Sequence, residues 1–213
     1  MGNGQIDPQG LLISFEGLEA VGKTTQIERL RLGLKKRVPE VLALREPGGT
    51  AFGETLRQFI LHRAQAQSPL AEFLVFAAAR AELMETLALP ALSRGAVVLM
   101  DRFIDSSVAY QAFGRNLDPH EIMAINRLVT RGRSPDLTCW LRGESFDLET
   151  GDLVERRSAE YFHRVEQGYT WLSRQEPQRW MIINSRQNPD IIFDTVMTRI
   201  NLLLDKSLGG KNL

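Results

Sequence analysis

The chain has 213 residues, and 26 Lys plus Arg balance 26 Asp plus Glu for a formal net charge of zero. That length can bury one sizeable core. The balanced charge argues against a nucleic-acid polymer or an anionic membrane as partner, though a local anion site can sit inside a neutral total. The single cysteine, Cys139, excludes an internal disulfide, fits a reducing cytoplasmic compartment and reads as a small buried hydrophobe. No apolar run approaches the ~18 residues of a membrane span, and the start MGNGQIDPQG lacks the basic and apolar pattern of a signal peptide.

In chain order, LLISFE (11–16) reads as a buried strand, and 22–36 as a helix spaced on Ile27, Leu30 and Leu34. VLALRE (41–46) is a second strand, followed by a helix from Thr50 to Leu61. Ser68-Pro69 opens a long helix toward Leu89, with Ser as N-cap and Pro in the first turn. GAVVLMD (95–101) is a third strand; helices near 105–112 and 118–131 follow it, and LTCWL (137–141) is a fourth. Residues 142–155 read as a lid, then come a helix over 156–174, a strand RWMIIN (179–184), a helix over 189–205 and a flexible tail, 206–213. Apolar strands separated by helices predict a single α/β domain over 1–213, with three layers around a five-stranded parallel sheet. Ligands in such folds sit at the C-terminal ends of the strands.

There the sequence places Gly17-Leu18-Glu19-Ala20-Val21-Gly22-Lys23-Thr24, a full match to G-x-x-x-x-G-K-[ST] between a strand and a helix, with Thr25 next. The glycines let backbone N–H groups curl around an anion, and the helix N-terminus adds favourable charge. Lys23 is expected on the β- and γ-phosphates of a nucleoside triphosphate, ATP, and Thr24 on Mg²⁺. No base-reading N-K-x-D run of a switch GTPase is present, so a kinase of a small molecule is expected, with a second anion site.

Asp101-Arg102-Phe103 ends the third strand, where an Asp can hold Mg²⁺ and an Arg fork can clamp a phosphate; a surface ion pair is the plain alternative. Arg57 lies two turns into the helix after Arg45-Glu46-Pro47-Gly48-Gly49-Thr50, and either reaches back to a phosphate or sits on a solvated face. Phe76 and Arg80, at i and i+4, share a helix face that would suit a stacked base and its edge, though on periodicity alone Phe76 reads more readily as core. Ser106, Ser107, Tyr110 and Gln111 follow the Asp-Arg pair and would contact a sugar or base.

GLEAVGKTT, REPGGT, FAAAR, DRF, the S-S-x-A-Y-Q run with Gly114-Arg115, and Pro135-Asp136-Leu137-Thr138 together resemble the bacterial type of thymidylate kinase, over residues 11–141. The resemblance implies a nucleoside-monophosphate-kinase fold, usually homodimeric through helices like 69–89, that moves the γ-phosphoryl of ATP to dTMP. It implies that the loop 17–24 holds ATP with Mg²⁺ on Thr24 and Asp101, that Arg57 and Arg102 clamp the dTMP phosphate, and that Phe76 stacks on thymine while Arg80 bonds its edge. Gln111, Ser106, Ser107 and Tyr110 would line the nucleoside pocket, Glu19 would face the acceptor, and Arg186 would flank adenine.

The lid departs from the family. Members carry several arginines there and end it in Asp-Arg-x-Glu; here the segment is acidic and that run reads Asp152-Leu153-Val154-Glu155. An arginine at a phosphoryl-transfer site is worth roughly 10³–10⁵ in rate, so Arg156 and Arg157 are the expected substitutes, with Arg142 and Arg164 as alternatives. A related kinase with another acceptor, or a weak nucleotide-binding homologue, are the competing expectations.

Overall fold

The computed structural model describes residues 10–62, 68–143 and 159–209. Its five strands are β1 (Leu11–Glu16), β2 (Val41–Arg45), β3 (Val97–Asp101), β4 (Leu137–Arg142) and β5 (Trp180–Asn184). All pair in parallel, in the order β2-β3-β1-β4-β5. The helices are α1 (Lys23–Leu34), α2 (Ala51–His62), α3 (Pro69–Leu83), α4 (Leu89–Ser93), α5 (Ile104–Ser107), α6 (Pro119–Val129), α7 (Ala159–Gln175) and α8 (Pro189–Gly209).

Successive side chains of a strand point to opposite faces, and the two central strands are apolar on both. Ile13, Phe15, Val97 and Leu99 pack with Leu30 and Leu34 of α1 and Val196 and Ile200 of α8. Leu12, Val98 and Met100 pack the other way, on Leu83, Met84 and Leu92. This is the three-layer α/β architecture the strand pattern predicts. The edge strands β2 and β5 are only half-buried.

Local chemistry accounts for the helix ends. The Ser68 side chain accepts from Ala71 N at 3.1 Å with Pro69 in the first turn, and Asp118 accepts from His120 N at 2.8 Å ahead of Pro119. The long helix expected from Ser68 to Leu89 is present but loosens into a π-turn over Met84–Ala88 before α4. Pro90, which has no N–H for the carbonyl four residues back, follows directly. The helix expected near 105–112 is α5 running into a second π-segment, Val108–Gly114. The last helix passes the expected end at 205 and reaches Gly209, its final turns tied to the C-terminus of α1 by an Arg37–Asp205 ion pair. Most of the lid, and Arg156 with Arg157, lie outside the described residues.

Register brings the functional loops to one edge. Phe15 and Arg45 both align with Asp101, Glu16 aligns with Trp140, and Arg142 with Asn184. Every strand therefore releases its following loop on the same side of the sheet.

A buried ion pair anchors α5 below that edge. Arg179 donates from Nη1 to Asp105 Oδ2 at 2.7 Å and from Nη2 to Oδ1 at 2.8 Å, and Thr138 Oγ1 donates to Asp105 Oδ2 at 3.0 Å. Removing one partner of such a pair strands a buried charge. Asp105→Ala is expected to lower stability by about 3–5 kcal/mol in urea unfolding, and the isosteric apolar pair Asp105→Leu/Arg179→Met to lose much less. Equal losses would mean that the pair does not hold α5.

Candidate active site

The loop 17–22 turns directly from β1 into α1. Gly17 (φ 131°) and Gly22 (φ 91°) adopt backbone that side chains disfavour, and a Cβ on Gly17 would stand 2.4 Å from Leu141 O. Lys23 folds back over the loop, its Nζ donating to the carbonyls of Gly17 and Leu18. Burial, followed by the Arg102 charge, lowers its pKa to about 7. Thr24 Oγ1 donates to Asp101 Oδ2 at 2.6 Å across the crevice. Val21 is buried in the core, and Thr25 is exposed on α1 and lines none of the clefts described next.

Three clefts meet along the strand ends. The middle one is lined by Lys23, Thr24, Arg45, Arg57, Asp101 and Arg102, with Glu19 and Ala20 from the loop. It brings four basic side chains, Lys23, Arg45, Arg57 and Arg102, into one cleft with the acids Glu19, Glu28, Glu46 and Asp101. A second cleft opens from it, between Glu19, Arg57 and Arg102 at one end and Phe76, Arg80, Ser106, Ser107, Tyr110 and Gln111 further in. A third lies across the loop, bounded by Leu18, Trp140, Arg142, Phe162, Tyr169 and Arg186.

Arg102 stands between the first two. It is a non-glycine residue at φ 66°, a conformation that costs about 1–2 kcal/mol. Its backbone N–H donates to Phe15 O at 3.0 Å, and its Nη1 to Gly17 O at 3.0 Å. Its guanidinium lies 4.9 Å above the Tyr110 ring centroid and 4.0 Å from Glu19 Oε1. Arg57 Nη1 donates to Pro47 O at 3.0 Å, and Glu54 accepts from Gly49 N at 2.9 Å and from Arg45 Nη2 at 3.0 Å. Together these hold the turn 46–50 as one wall, and the Gly49 N–H, helped by Arg45, keeps the Glu54 carboxyl below its usual pKa.

Arg80 is 2% exposed and is an internal strut as well as a lining residue. Nε donates to Glu46 Oε2 at 2.7 Å and Nη2 pairs with the same oxygen at 2.6 Å; Nη2 also donates to Phe103 O and Nη1 to Asn126 Oδ1. Four of its five N–H groups are thus spent on the protein, and one on Nη1 is left for the cleft. Phe73 takes the core position on α3, while Phe76 is half-buried at the cleft.

Sequence reasoning missed Glu16. It is fully buried at the end of β1, where Phe103 N (2.9 Å) donates to Oε1, and Ser106 Oγ (2.5 Å) and Tyr169 OH (3.1 Å) donate to Oε2. Burial, and then the charge of Asp105, raises its pKa to about 8 against the opposing bonds of Ser106 and Tyr169. Burial also keeps the Tyr169 hydroxyl protonated, as a donor. An acid inside an otherwise apolar strand, LLISFE, was the available signal. Trp140 and Phe162 were also missed as cleft walls; nothing in their spacing separates them from core aromatics.

Of the alternatives to the lid arginine, Arg142 donates to Glu166 Oε1 at 2.7 Å at the third cleft, and Arg164 donates to Gly114 O at 3.0 Å away from all three clefts. Neither lines the middle cleft.

A sequence-family model described as Thymidylate kinase matches residues 15–196. The chain belongs to the thymidylate kinase family. It is 38% identical to a thymidylate kinase of Prosthecochloris aestuarii, over 94% of this chain and 99% of that protein. It is 37% identical to one from Chlorobaculum tepidum, over 92% of this chain and all of that protein. The crystal structure of the thymidylate kinase from Ehrlichia chaffeensis superposes with a TM-score of 0.77 at 29% identity, covering 91% of this chain and 100% of that one. Family membership and the nucleoside-monophosphate-kinase fold therefore agree with the reading of the motifs.

Glu16 gives the site a pH signature. Its folded pKa, about 8, lies above the ordinary 4.5, so the folded state holds a proton that the unfolded state releases. Stability is expected to fall as pH rises from about 4.5 to 8. Glu16→Gln, which does not titrate, is expected to flatten that slope in urea unfolding across the range. An unchanged slope would show that burial does not dominate at Glu16.

Proposed function

We propose that this chain transfers the γ-phosphoryl group of ATP to dTMP, giving dTDP and ADP. The observation that carries the reading is the cleft at the strand ends that gathers Lys23, Arg45, Arg57 and Arg102, with a phosphate loop on one side and an aromatic-walled cleft on the other, joined at Arg102. Two polyanions must be brought in line, their charge neutralised and water excluded, and little covalent chemistry is asked of the protein.

In this reading the loop 17–24 cradles the triphosphate, and Lys23, whose charge burial weakens, is stabilised as a cation beside the phosphates. Thr24 and Asp101 are the metal's protein contacts. Their hydroxyl and carboxylate suit Mg²⁺, which takes oxygen ligands and relies on substrate phosphates for others. Mg²⁺, when bound, supplies charge neutralisation between the β- and γ-phosphates. Arg57 and Arg102 clamp the acceptor phosphate, Phe76 stacks on thymine, Arg80 and Gln111 meet the base edge, and Ser106, Ser107, Tyr110 and Glu19 line the nucleoside. A dTMP phosphate oxygen attacks the γ-phosphorus as the bond to the β-phosphate oxygen breaks. Adenine lies in the third cleft, beside Trp140, Phe162 and Arg186. Arg156 or Arg157 supplies the arginine that the lid lacks at its usual position.

The first test is ADP release from ATP and Mg²⁺ with each of dTMP, dUMP, dCMP, dGMP and dAMP. Turnover with dTMP above the others is expected, and turnover only with another acceptor would overturn the assignment. One of Arg156→Ala and Arg157→Ala is expected to lower kcat by about 10³-fold or more. If neither variant changes kcat, the lid assignment fails.

We infer also that the chain acts as a cytoplasmic homodimer. Leu70 and Leu74, one turn apart on α3, are 45% and 46% exposed, and no helix among the described residues is long and apolar enough to cross a membrane. Sedimentation equilibrium is expected to give a dimer, and Leu74→Asp a monomer. A monomeric parent chain would dismiss that face as an interface.

A further inference from the structure

Glu72, Phe76 and Arg80 follow one another at i, i+4 and i+8 along α3, and so share one helix face. Phe76 and Arg80 line the acceptor cleft, while Glu72 sits just behind Gln111, which lines it too. Glu72 is 7% exposed and pairs with Arg115 Nη2 at 3.0 Å. Gln111 is 3% exposed, and its Nε2 donates to Glu72 Oε1 at 3.5 Å, the long end of a hydrogen bond.

The chemistry of these groups is unequal. An arginine only donates and an ionised carboxylate only accepts, whereas a primary amide does both and can turn over. Left alone, Gln111 could offer either its NH₂ or its carbonyl oxygen to a base. With Glu72 behind it, turning over would set the amide oxygen against a carboxylate oxygen, two acceptors with no proton between them in a buried site. Arg115 Nη2 holds the other carboxyl oxygen, Oε2, at 3.0 Å, which leaves Oε1 facing Gln111.

We propose that Glu72, held by Arg115, is a positioning residue that fixes the Gln111 amide with its carbonyl oxygen toward the cleft, and so selects a 4-oxo pyrimidine bearing N3–H over cytosine. This rests on the reading of that cleft as the acceptor site. Thymine and uracil offer an acceptor at O4 and a donor at N3. The remaining N–H of Arg80 matches the first, and the Gln111 oxygen matches the second. Cytosine reverses both, with a donor amine at C4 and an acceptor at N3. Two charged residues thereby anchor the pattern at both ends, one by lining the cleft and one by acting through Gln111. A site built around specific polar partners rejects a ligand that leaves them unpaired far more strongly than an apolar pocket does.

The test compares the parent chain with Glu72→Gln, a near-isostere that can donate as well as accept and so no longer opposes rotation of Gln111. Measured are kcat/KM for dTMP, Ki for dCMP as a competitor of dTMP, and KM for ATP. The discrimination between dTMP and dCMP is expected to fall by about tenfold or more, carried by KM for dTMP and Ki for dCMP, with KM for ATP unchanged. A folded Glu72→Gln variant with discrimination within about twofold of the parent would overturn the proposal. So would an equal weakening in KM for dTMP and Ki for dCMP, which marks a purely structural role. Should that variant not fold, the crystal structure of the parent chain with dTMP decides. The Gln111 amide bonded at once to Glu72 and to N3 of the base supports the proposal, and an amide turned away from either overturns it. A parent chain that turns over dTMP while discrimination survives in the variant sinks this inference alone; a parent chain with no dTMP turnover sinks the acceptor assignment with it.

Discussion

The carboxyl group of Glu16 joins three parts of the molecule that are distant in sequence. It closes β1, its Oε1 receives the Phe103 N–H immediately after Arg102, and its Oε2 receives hydroxyls from α5 and from α7. The strained backbone of Arg102 lies between two of its own anchors, the bond to Phe15 O and this bond at Phe103. Such strain persists only where the surroundings over-determine it. Ser106 lines the second cleft and Tyr169 the third, so one buried acid supports walls on both sides of the phosphate loop.

Electrostatics explains why the acid can be there. A lone buried carboxylate is costly, and burial accordingly pushes Glu16 up to about 8. Three donors aimed at it offset part of that cost, and the neighbouring Arg102 and Lys23 supply positive charge of their own. The same desolvation draws Lys23 down to about 7. Lys23 therefore lines the middle cleft with a charge that burial weakens, and a polyanion beside it would offset that cost.

The two alternatives for the lid's arginine that fall in the described residues are already committed: Arg142 pairs with Glu166 and Arg164 donates to Gly114 O. In the proposed reaction that leaves Arg156 and Arg157, which follow Asp152-Leu153-Val154-Glu155 in the sequence, as the candidates to meet the transferring group.

Much of the fold and part of the site could be read in the residues themselves. Local chemistry determined the phosphate loop, whose glycines, Lys23 and Thr24 sit at fixed offsets between an apolar strand and a helix. It also determined the five strands, which are short, mainly apolar runs between helical patterns, as a parallel sheet between helix layers requires, and the caps at Ser68 and Asp118, which act within three residues. Periodicity could not separate Phe73 from Phe76, since both fit a helix face and only packing decides which meets the core. Arg80 read as a base-edge donor, yet most of its N–H groups go to Glu46, Phe103 and Asn126, which are distant in sequence. Glu16 and Glu72 looked like ordinary acids for the same reason. Their partners arrive from other elements through the parallel register and the packing of α3, α5 and α7, and long-range contacts of that kind leave no spacing in a sequence to be read.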